Sequence, residues 1–166
     1  MTRQPTSAPG SRQEQAPLAV VGGNLCTELL DVTSDLTALD SRGFWAVVIP
    51  YSGEPVCARF GSVRDARPWP GRPWIGPAPD AWQTSLDRRG FTEGVASIRS
   101  QIAEGGVYQV NLTRRLRAPL PRTATRDGTR PDIAALGAAL ADGNPAPYSA
   151  VVRIPAHGVE VASASP

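Results

Sequence analysis

The sequence predicts an α+β fold in which mostly antiparallel strands pack with two main helices. Apolar residues three and four positions apart indicate helices near 91–102 and 133–140. Short runs of β-branched and aromatic residues between turn residues indicate strands. These runs are 18–22, 43–49, 55–60, 148–154 and 159–163. A length of 166 residues favours one compact domain, and no internal repeat is visible.

The N-terminal part contains a leader, a helical turn, a hairpin and an irregular loop. Residues 1–16 are polar and rich in Pro, Ser and Gln, which predicts a disordered leader before a single domain at 17–166. One helical turn is expected at 35–39, with Ser34 or Asp35 as its cap. The turn at 51–54 joins two strands. Five prolines between 64 and 80 predict an irregular loop.

The first helix has an apolar stripe and a defined end. Phe91, Val95, Ile98 and Ile102 form the stripe. Gly105 and Gly106 permit left-handed backbone and are expected to end the helix.

The second helix begins near Pro131, which suits a helix first turn. We expect Ile133, Leu136 and Leu140 to form its buried face. Asn144, between a glycine and a proline, is expected to follow its end.

The segment 107–117 is predicted to be a long strand. Its residues alternate between an apolar face with Tyr108, Val110 and Leu112 and a polar face with Gln109, Asn111 and Thr113. A row of amides and a hydroxyl requires either water or a polar ligand. An ordinary strand with its polar side in water and a ligand-binding strand therefore both remain open.

The segment 144–148 is a second candidate wall of a binding site. Two prolines surround Ala146 and nearly fix the backbone. Tyr148 adds a rigid aromatic ring with a hydroxyl group. Such a loop suits a planar ligand, but it equally suits a helix-to-strand connection with a core tyrosine.

Composition excludes several function classes. The net charge of +2 is too small to indicate a nucleic-acid or membrane-surface partner. No apolar run is long enough to span a bilayer and no signal-like segment begins the chain, so a cytoplasmic location is expected. All 17 basic residues other than the histidine are arginines, so no lysine amine is available for Schiff-base chemistry. Cys26 and Cys57 are expected to be buried reduced thiols.

The remaining candidate residues carry weaker signals, and no catalytic residue is predicted. His157 is interpreted as a solvated turn histidine rather than a base. Ser163 and Ser165 lack the surroundings of a nucleophilic serine. Gly22 and Gly23 do not form a phosphate loop. The arginine cluster at 114–117 is the charged edge of a strand or a surface that attracts an anionic substrate.

Three segments in order resemble one family of enzymes. They are Gly-Gly-Val-Tyr-Gln-Val-Asn-Leu-Thr at 105–113, Asn-Pro-Ala-Pro-Tyr-Ser-Ala at 144–150 and Ser-Ala-Ser-Pro at 163–166. Together they resemble the chorismate-utilising enzymes, component I of aminodeoxychorismate synthase and of anthranilate synthase. The resemblance covers about 45–166 and implies an incomplete N-terminal portion of that fold, without its catalytic half.

The resemblance also implies a site and a reaction. Asn111, Pro147 and Tyr148 match residues that line a tryptophan pocket in the family. Ala146 is typical of the aminodeoxychorismate branch, which serves para-aminobenzoate and folate synthesis, whereas anthranilate synthases tend to have serine there. The parent reaction replaces the hydroxyl of chorismate with ammonia from a glutamine amidotransferase subunit. Mg²⁺ and a lysine nucleophile take part, and their residues are expected to lie outside this chain.

Several alternatives remain open at the level of sequence. Anthranilate synthase component I is the main one, and isochorismate or salicylate synthase is another. A tryptophan-binding module without catalytic activity is the alternative from a different class. A truncated chain without independent function is the third. The sequence does not indicate an oligomeric state.

Overall fold

The computed structural model describes residues 15–67, 73–121 and 131–165. These form two compact units. The first takes its described residues from Met1–Trp74 and Asp132–Pro166, and the second from Ile75–Pro131. The predicted leader lies outside the described residues except for Gln15 and Ala16, and part of the proline-rich loop also lies outside them.

The α+β prediction is confirmed, with an antiparallel sheet and two helices. In chain order the elements are β1 Leu18–Val21, β2 Asn24–Thr33, β3 Phe44–Val48, β4 Val56–Asp65, β5 Gln83–Thr84, α1 Arg88–Ala103, β6 Leu116–Arg117, α2 Ile133–Gly143, β7 Tyr148–Ile154 and β8 Val159–Ser165. Short 3-10 turns occupy Leu36–Asp40, Pro79–Ala81 and Pro155–His157. No helix in the described ranges is long and apolar enough to cross a membrane.

The first unit is built on a six-stranded sheet in the order β3-β4-β2-β1-β7-β8. Every neighbouring pair is antiparallel. One apolar cluster joins Ala58 and Phe60 of β4 with Ile154 and Val159 from the other end of the sheet. The cluster also includes Ala19 of β1 and Cys26 of β2, so it is a continuous apolar face of the curled sheet. Cys26 and Cys57 are free and buried as expected, and burial raises the pKa of the Cys26 thiol.

A second apolar cluster places α2 on the sheet. Val20, Leu25 and Val151 pack there with Ala134 of the helix. The fully buried residues of α2 are the small ones, Ala134, Ala135 and Gly137. The buried face of α2 therefore differs from the predicted one, because Ile133, Leu136 and Leu140 are only half-buried. Small side chains let the helix backbone lie close to the strands.

A buried arginine ties three parts of the first unit together. Arg153 on β7 donates from Nη1 to Asp132 Oδ1 at 2.6 Å. Its Nε and Nη2 donate to the carbonyl oxygen of Ala16 at 3.0 and 2.8 Å. Asp132 also accepts from the backbone N–H of Ala134 at 2.9 Å, so the same carboxylate caps α2.

The second unit contains α1 and a two-stranded ladder. The carboxylate of Asp87 caps α1 by accepting from the Gly90 N–H at 2.7 Å. The helix ends as predicted, with Gly105 at φ +77 and the Gly106 N–H donating to the Gln101 carbonyl at 2.8 Å. The ladder pairs β5 with β6, with Thr84 opposite Leu116.

The predicted strand at 107–117 is wrong over most of its length. Only Leu116–Arg117 is a strand, and 107–115 is irregular. Its partner β5 has only two residues, and a strand forms only where a neighbour supplies ladder hydrogen bonds. The predicted apolar face is not in a core, since Tyr108 is 96% exposed and Val110 is 42% exposed.

The ten-residue central strand β2 was not predicted from the sequence. Its register shifts between Leu29 and Asp31, and Glu28 has φ 61, which is uncommon for a residue with a side chain. A bulge of this kind interrupts the two-residue alternation of a strand. The usual strand pattern is therefore absent from 24–33.

Candidate ligand-binding site

Tyr148 and Pro147 lie on a tightly held connection between α2 and β7. The N–H of Asn144 donates to the Leu140 carbonyl at 2.8 Å and ends the helix. Both the N–H and the hydroxyl of Ser149 donate to the Ala146 carbonyl, at 3.1 and 2.8 Å. These bonds close a turn around Pro147, so the backbone is fixed by hydrogen bonds as well as by proline rings.

The side chain of Tyr148 is available to a ligand. Tyr148 begins β7 and pairs with Ser165 of β8, which fixes its backbone in the ladder. Its side chain is nevertheless 72% exposed. The interpretation of this residue as a core tyrosine is therefore wrong, because the ring lies on the surface of the first unit.

Asn111 belongs to the second unit, on the irregular segment that follows α1. It is exposed, and within the described residues its side chain makes no hydrogen bond to protein. Its neighbour Leu112 packs on α1 at Gly94, where an added Cβ would lie 2.9 Å from Leu112 Cδ2. The packing of Leu112 on this glycine holds the irregular segment against the helix.

The three predicted site residues are thus distributed over the two units. Pro147 and Tyr148 are adjacent in the first unit, and Asn111 lies in the second. A shared pocket formed by all three stays a prediction. All three are exposed, so their polar and aromatic groups are free to contact a ligand.

The single histidine lies where the sequence analysis placed it, in an exposed turn. His157 ends the 3-10 turn between β7 and β8. It lines a cavity of about 270 Å³ together with Asp31 and neighbouring apolar residues of β2. The approach of these two residues depends on the curl of the sheet, and no local sequence signal indicates it.

A larger cavity of about 500 Å³ lies in the second unit and was missed by the sequence analysis. It is lined by Asp87, Arg88, Phe91, Thr92 and Arg114. Two of these residues carried a sequence signal of another kind, Phe91 as part of the apolar stripe of the helix and Arg114 as a member of the arginine cluster.

Metal ligands do not cluster in the described parts of the chain. Across 15–67, 73–121 and 131–165, no three His, Cys, Asp or Glu residues lie close enough together to hold an ion. These residues therefore do not fit a bound Mg²⁺, and no chemical step is assigned to a metal here.

Comparison with known proteins identifies the family. The family model for the chorismate binding enzyme matches residues 72–166, more than half of the chain. Anthranilate synthase component 1 1 of Haloarcula marismortui is 35% identical over 85 residues, which cover 51% of this chain and 15% of that relative. No solved structure matches. The chain belongs to the chorismate binding enzyme family.

Proposed function

We propose that this chain acts as part of component I of aminodeoxychorismate synthase. In this proposal the enzyme converts chorismate and ammonia to 4-amino-4-deoxychorismate, on the route to para-aminobenzoate and folate. The ammonia comes from a glutamine amidotransferase subunit. The contribution of the chain is to binding rather than to covalent chemistry.

Family membership is the observation that carries the proposal, since the matched region 72–166 includes all three signature segments. The choice of branch rests on Ala146, the residue between the two prolines that precede Tyr148. The Ala146 carbonyl accepts both hydrogen bonds from Ser149, which closes the turn that contains Tyr148.

The absence of lysine supports a binding role. In the aminodeoxychorismate branch a lysine is the expected covalent nucleophile, and none of the 166 residues is lysine. Magnesium would hold a substrate carboxylate and help the hydroxyl to leave, which is Lewis-acid chemistry. We expect its ligands to lie outside this chain.

We further propose that Asn111, Pro147 and Tyr148 contribute to a tryptophan pocket. Tyr148 offers an exposed ring on a fixed backbone, which suits stacking on an indole. Asn111 offers an amide without a protein partner in the described residues, which suits a polar group of the ligand.

A gene disruption tests the choice of branch. Loss of the coding sequence in its natural host should create a growth requirement for para-aminobenzoate. A requirement for tryptophan instead would overturn the proposal and support the anthranilate branch. Growth without either supplement would contradict both enzyme assignments.

Anthranilate synthase component I is the second candidate function. The observation that favours it is the 35% identity to a relative with that name. The alignment covers 15% of that relative. Product analysis of the complete enzyme separates the two branches, since one yields 4-amino-4-deoxychorismate and the other anthranilate.

Calorimetry tests the tryptophan pocket. We expect tryptophan to bind the chain, and we expect Asn111→Ala and Tyr148→Ala each to weaken binding. Tyr51→Ala is a matched control, because Tyr51 is a fully exposed tyrosine of the first unit outside the proposed pocket. The proposed pocket would be contradicted if Tyr51→Ala weakened tryptophan binding as much as the other two variants, or if tryptophan did not bind the chain. Tryptophan binding without a para-aminobenzoate requirement would favour a catalytically inactive binding module.

A further inference from the structure

The cavity in the second unit has the chemistry of a separate binding site. Its five lining residues include two arginines and a phenylalanine. None of Asn111, Pro147 and Tyr148 lines it, so it is independent of the proposed tryptophan pocket.

The register of the short ladder brings the two arginines to one place. Thr84 lies opposite Leu116, and the Ser85 N–H donates to the Arg115 carbonyl at 2.9 Å. The Arg115 N–H donates in turn to Ser85 Oγ at 2.8 Å. Continuing the antiparallel register by one step places Arg114 beside the start of α1. Arg114 and Arg88 therefore reach the same cavity although 26 positions separate them.

Within the part of the chain that the structure describes, neither guanidinium group has an ion-pair partner, so both can bind an anion. The ion pairs in the described residues join Arg89 to Glu93 and Arg153 to Asp132. Neither Arg88 nor Arg114 takes part in them. An arginine without an internal partner presents its planar row of N–H donors to a carboxylate, which it binds with two parallel hydrogen bonds.

The acidic residue of the cavity is already occupied. Asp87 accepts the Gly90 N–H at 2.7 Å and caps α1. Its carboxylate therefore occupies the Gly90 N–H, and this donor is not available to a ligand. The Thr92 hydroxyl is also occupied, since it donates to the Arg88 carbonyl at 2.8 Å. The two arginines are the cationic groups of the lining, and their two positive charges exceed the one negative charge of Asp87.

The remaining wall is aromatic. Phe91 lies one turn into α1 and is partly exposed toward solvent. Its ring offers an apolar face for a flat molecule. A volume of about 500 Å³ lies within the range of about 300–1,000 Å³ that holds small organic ligands.

We propose that this cavity binds a small aromatic carboxylate. Arg88 and Arg114 hold the carboxylate, and Phe91 packs against the ring. The proposal does not depend on the branch of chorismate chemistry assigned above, because it rests on the lining residues alone.

Titration of the full chain with benzoate, followed by two-dimensional amide NMR, tests the proposal. We expect saturable shifts confined to residues 87–92 and the neighbourhood of Arg114. Benzamide has the same shape without the charge, and it should bind at least about tenfold more weakly because it lacks the charge-assisted bonds. Higher salt should weaken benzoate binding.

Three variants locate the site. Arg88→Gln and Arg114→Gln should each weaken benzoate binding about tenfold. Arg99→Gln is the matched control, because Arg99 is an exposed arginine of α1 that does not line the cavity, and its affinity should be unchanged. Amide spectra of all three variants report whether each is folded.

Four results would overturn the proposal. The first two are equal affinities for benzamide and benzoate, and amide shifts that lie elsewhere in the chain. The third is an Arg99→Gln variant that binds benzoate as weakly as the Arg88→Gln and Arg114→Gln variants. The fourth is tighter binding of inorganic phosphate than of benzoate. The last result would identify a general anion site in which Phe91 plays no part.

Discussion

The most informative perturbation is the replacement of the buried Arg153 by methionine. Methionine keeps much of the unbranched apolar stem and removes the guanidinium. Arg153 is 8% exposed and makes three hydrogen bonds, one to Asp132 and two to the Ala16 carbonyl. Its loss leaves Asp132 without a counter-charge.

The expected cost follows from the burial of the two partners. Breaking a buried ion pair by removing one partner costs about 3–5 kcal/mol, because the other charge is left desolvated. The side chain of Asp132 is 16% exposed and keeps the Ala134 N–H as a donor, and the Ala16 carbonyl can bond to water. We therefore expect Arg153→Met to lower the free energy of unfolding by about 3 kcal/mol, the lower end of that range.

Urea denaturation followed by circular dichroism measures the effect, and the chain contains a matched control. Arg89 pairs with Glu93 at 2.8 Å, but their side chains are 85% and 63% exposed. An exposed pair of this kind contributes about 0–1 kcal/mol, so Arg89→Met should change stability by less than about 0.5 kcal/mol.

A double-mutant cycle completes the test. Asp132→Asn keeps a good helix cap and removes the charge. The double variant Arg153→Met/Asp132→Asn should have a smaller decrease in the free energy of unfolding than the two single decreases added together, by at least about 1 kcal/mol. If Arg153→Met costs no more than Arg89→Met, or the two single effects simply add, the reasoning about the buried pair is wrong.

Three further predictions concern single positions. Gly158→Ala should lower the free energy of unfolding by about 1 kcal/mol, because Gly158 has φ +67 in the β7–β8 turn. Gly158→Asn should lower it by less, since asparagine adopts left-handed backbone more readily than alanine. Equal losses for the two variants in urea denaturation would contradict this prediction. Hydrogen bonds from the Thr37 hydroxyl and N–H hold the pKa of Asp35 below its usual 3.8. The ionised carboxylate therefore stabilises the folded chain above pH 3.8, and this contribution is lost as the pH falls through the lowered pKa. An NMR titration of Asp35 with a midpoint at or above 3.8 would refute this prediction. Cys26 and Cys57 should react with an aromatic disulfide reagent only after denaturation, since both are buried; rapid reaction of the folded chain would be inconsistent with their burial.

The sequence alone determined the elements that local chemistry controls. Gly105 ends the first helix as predicted, because capping depends on residues within one turn. The caps Asp87 and Asp132 act equally locally but were not predicted, and Pro131 lies before the second helix rather than in its first turn. The strands at 148–154 and 159–163 were also predicted, and they pair as β7 and β8. Family membership likewise followed from short signature segments of the chain.

Long-range pairing determines which extended segments become strands and which residues meet. A strand forms only beside a partner, and 107–115 lacks a partner long enough, whereas 24–33 gains two neighbours despite its bulge. The same dependence on long-range pairing brings Arg153 to Asp132 and Arg114 to Arg88. Such contacts are set by register and sheet curvature, which no local pattern specifies.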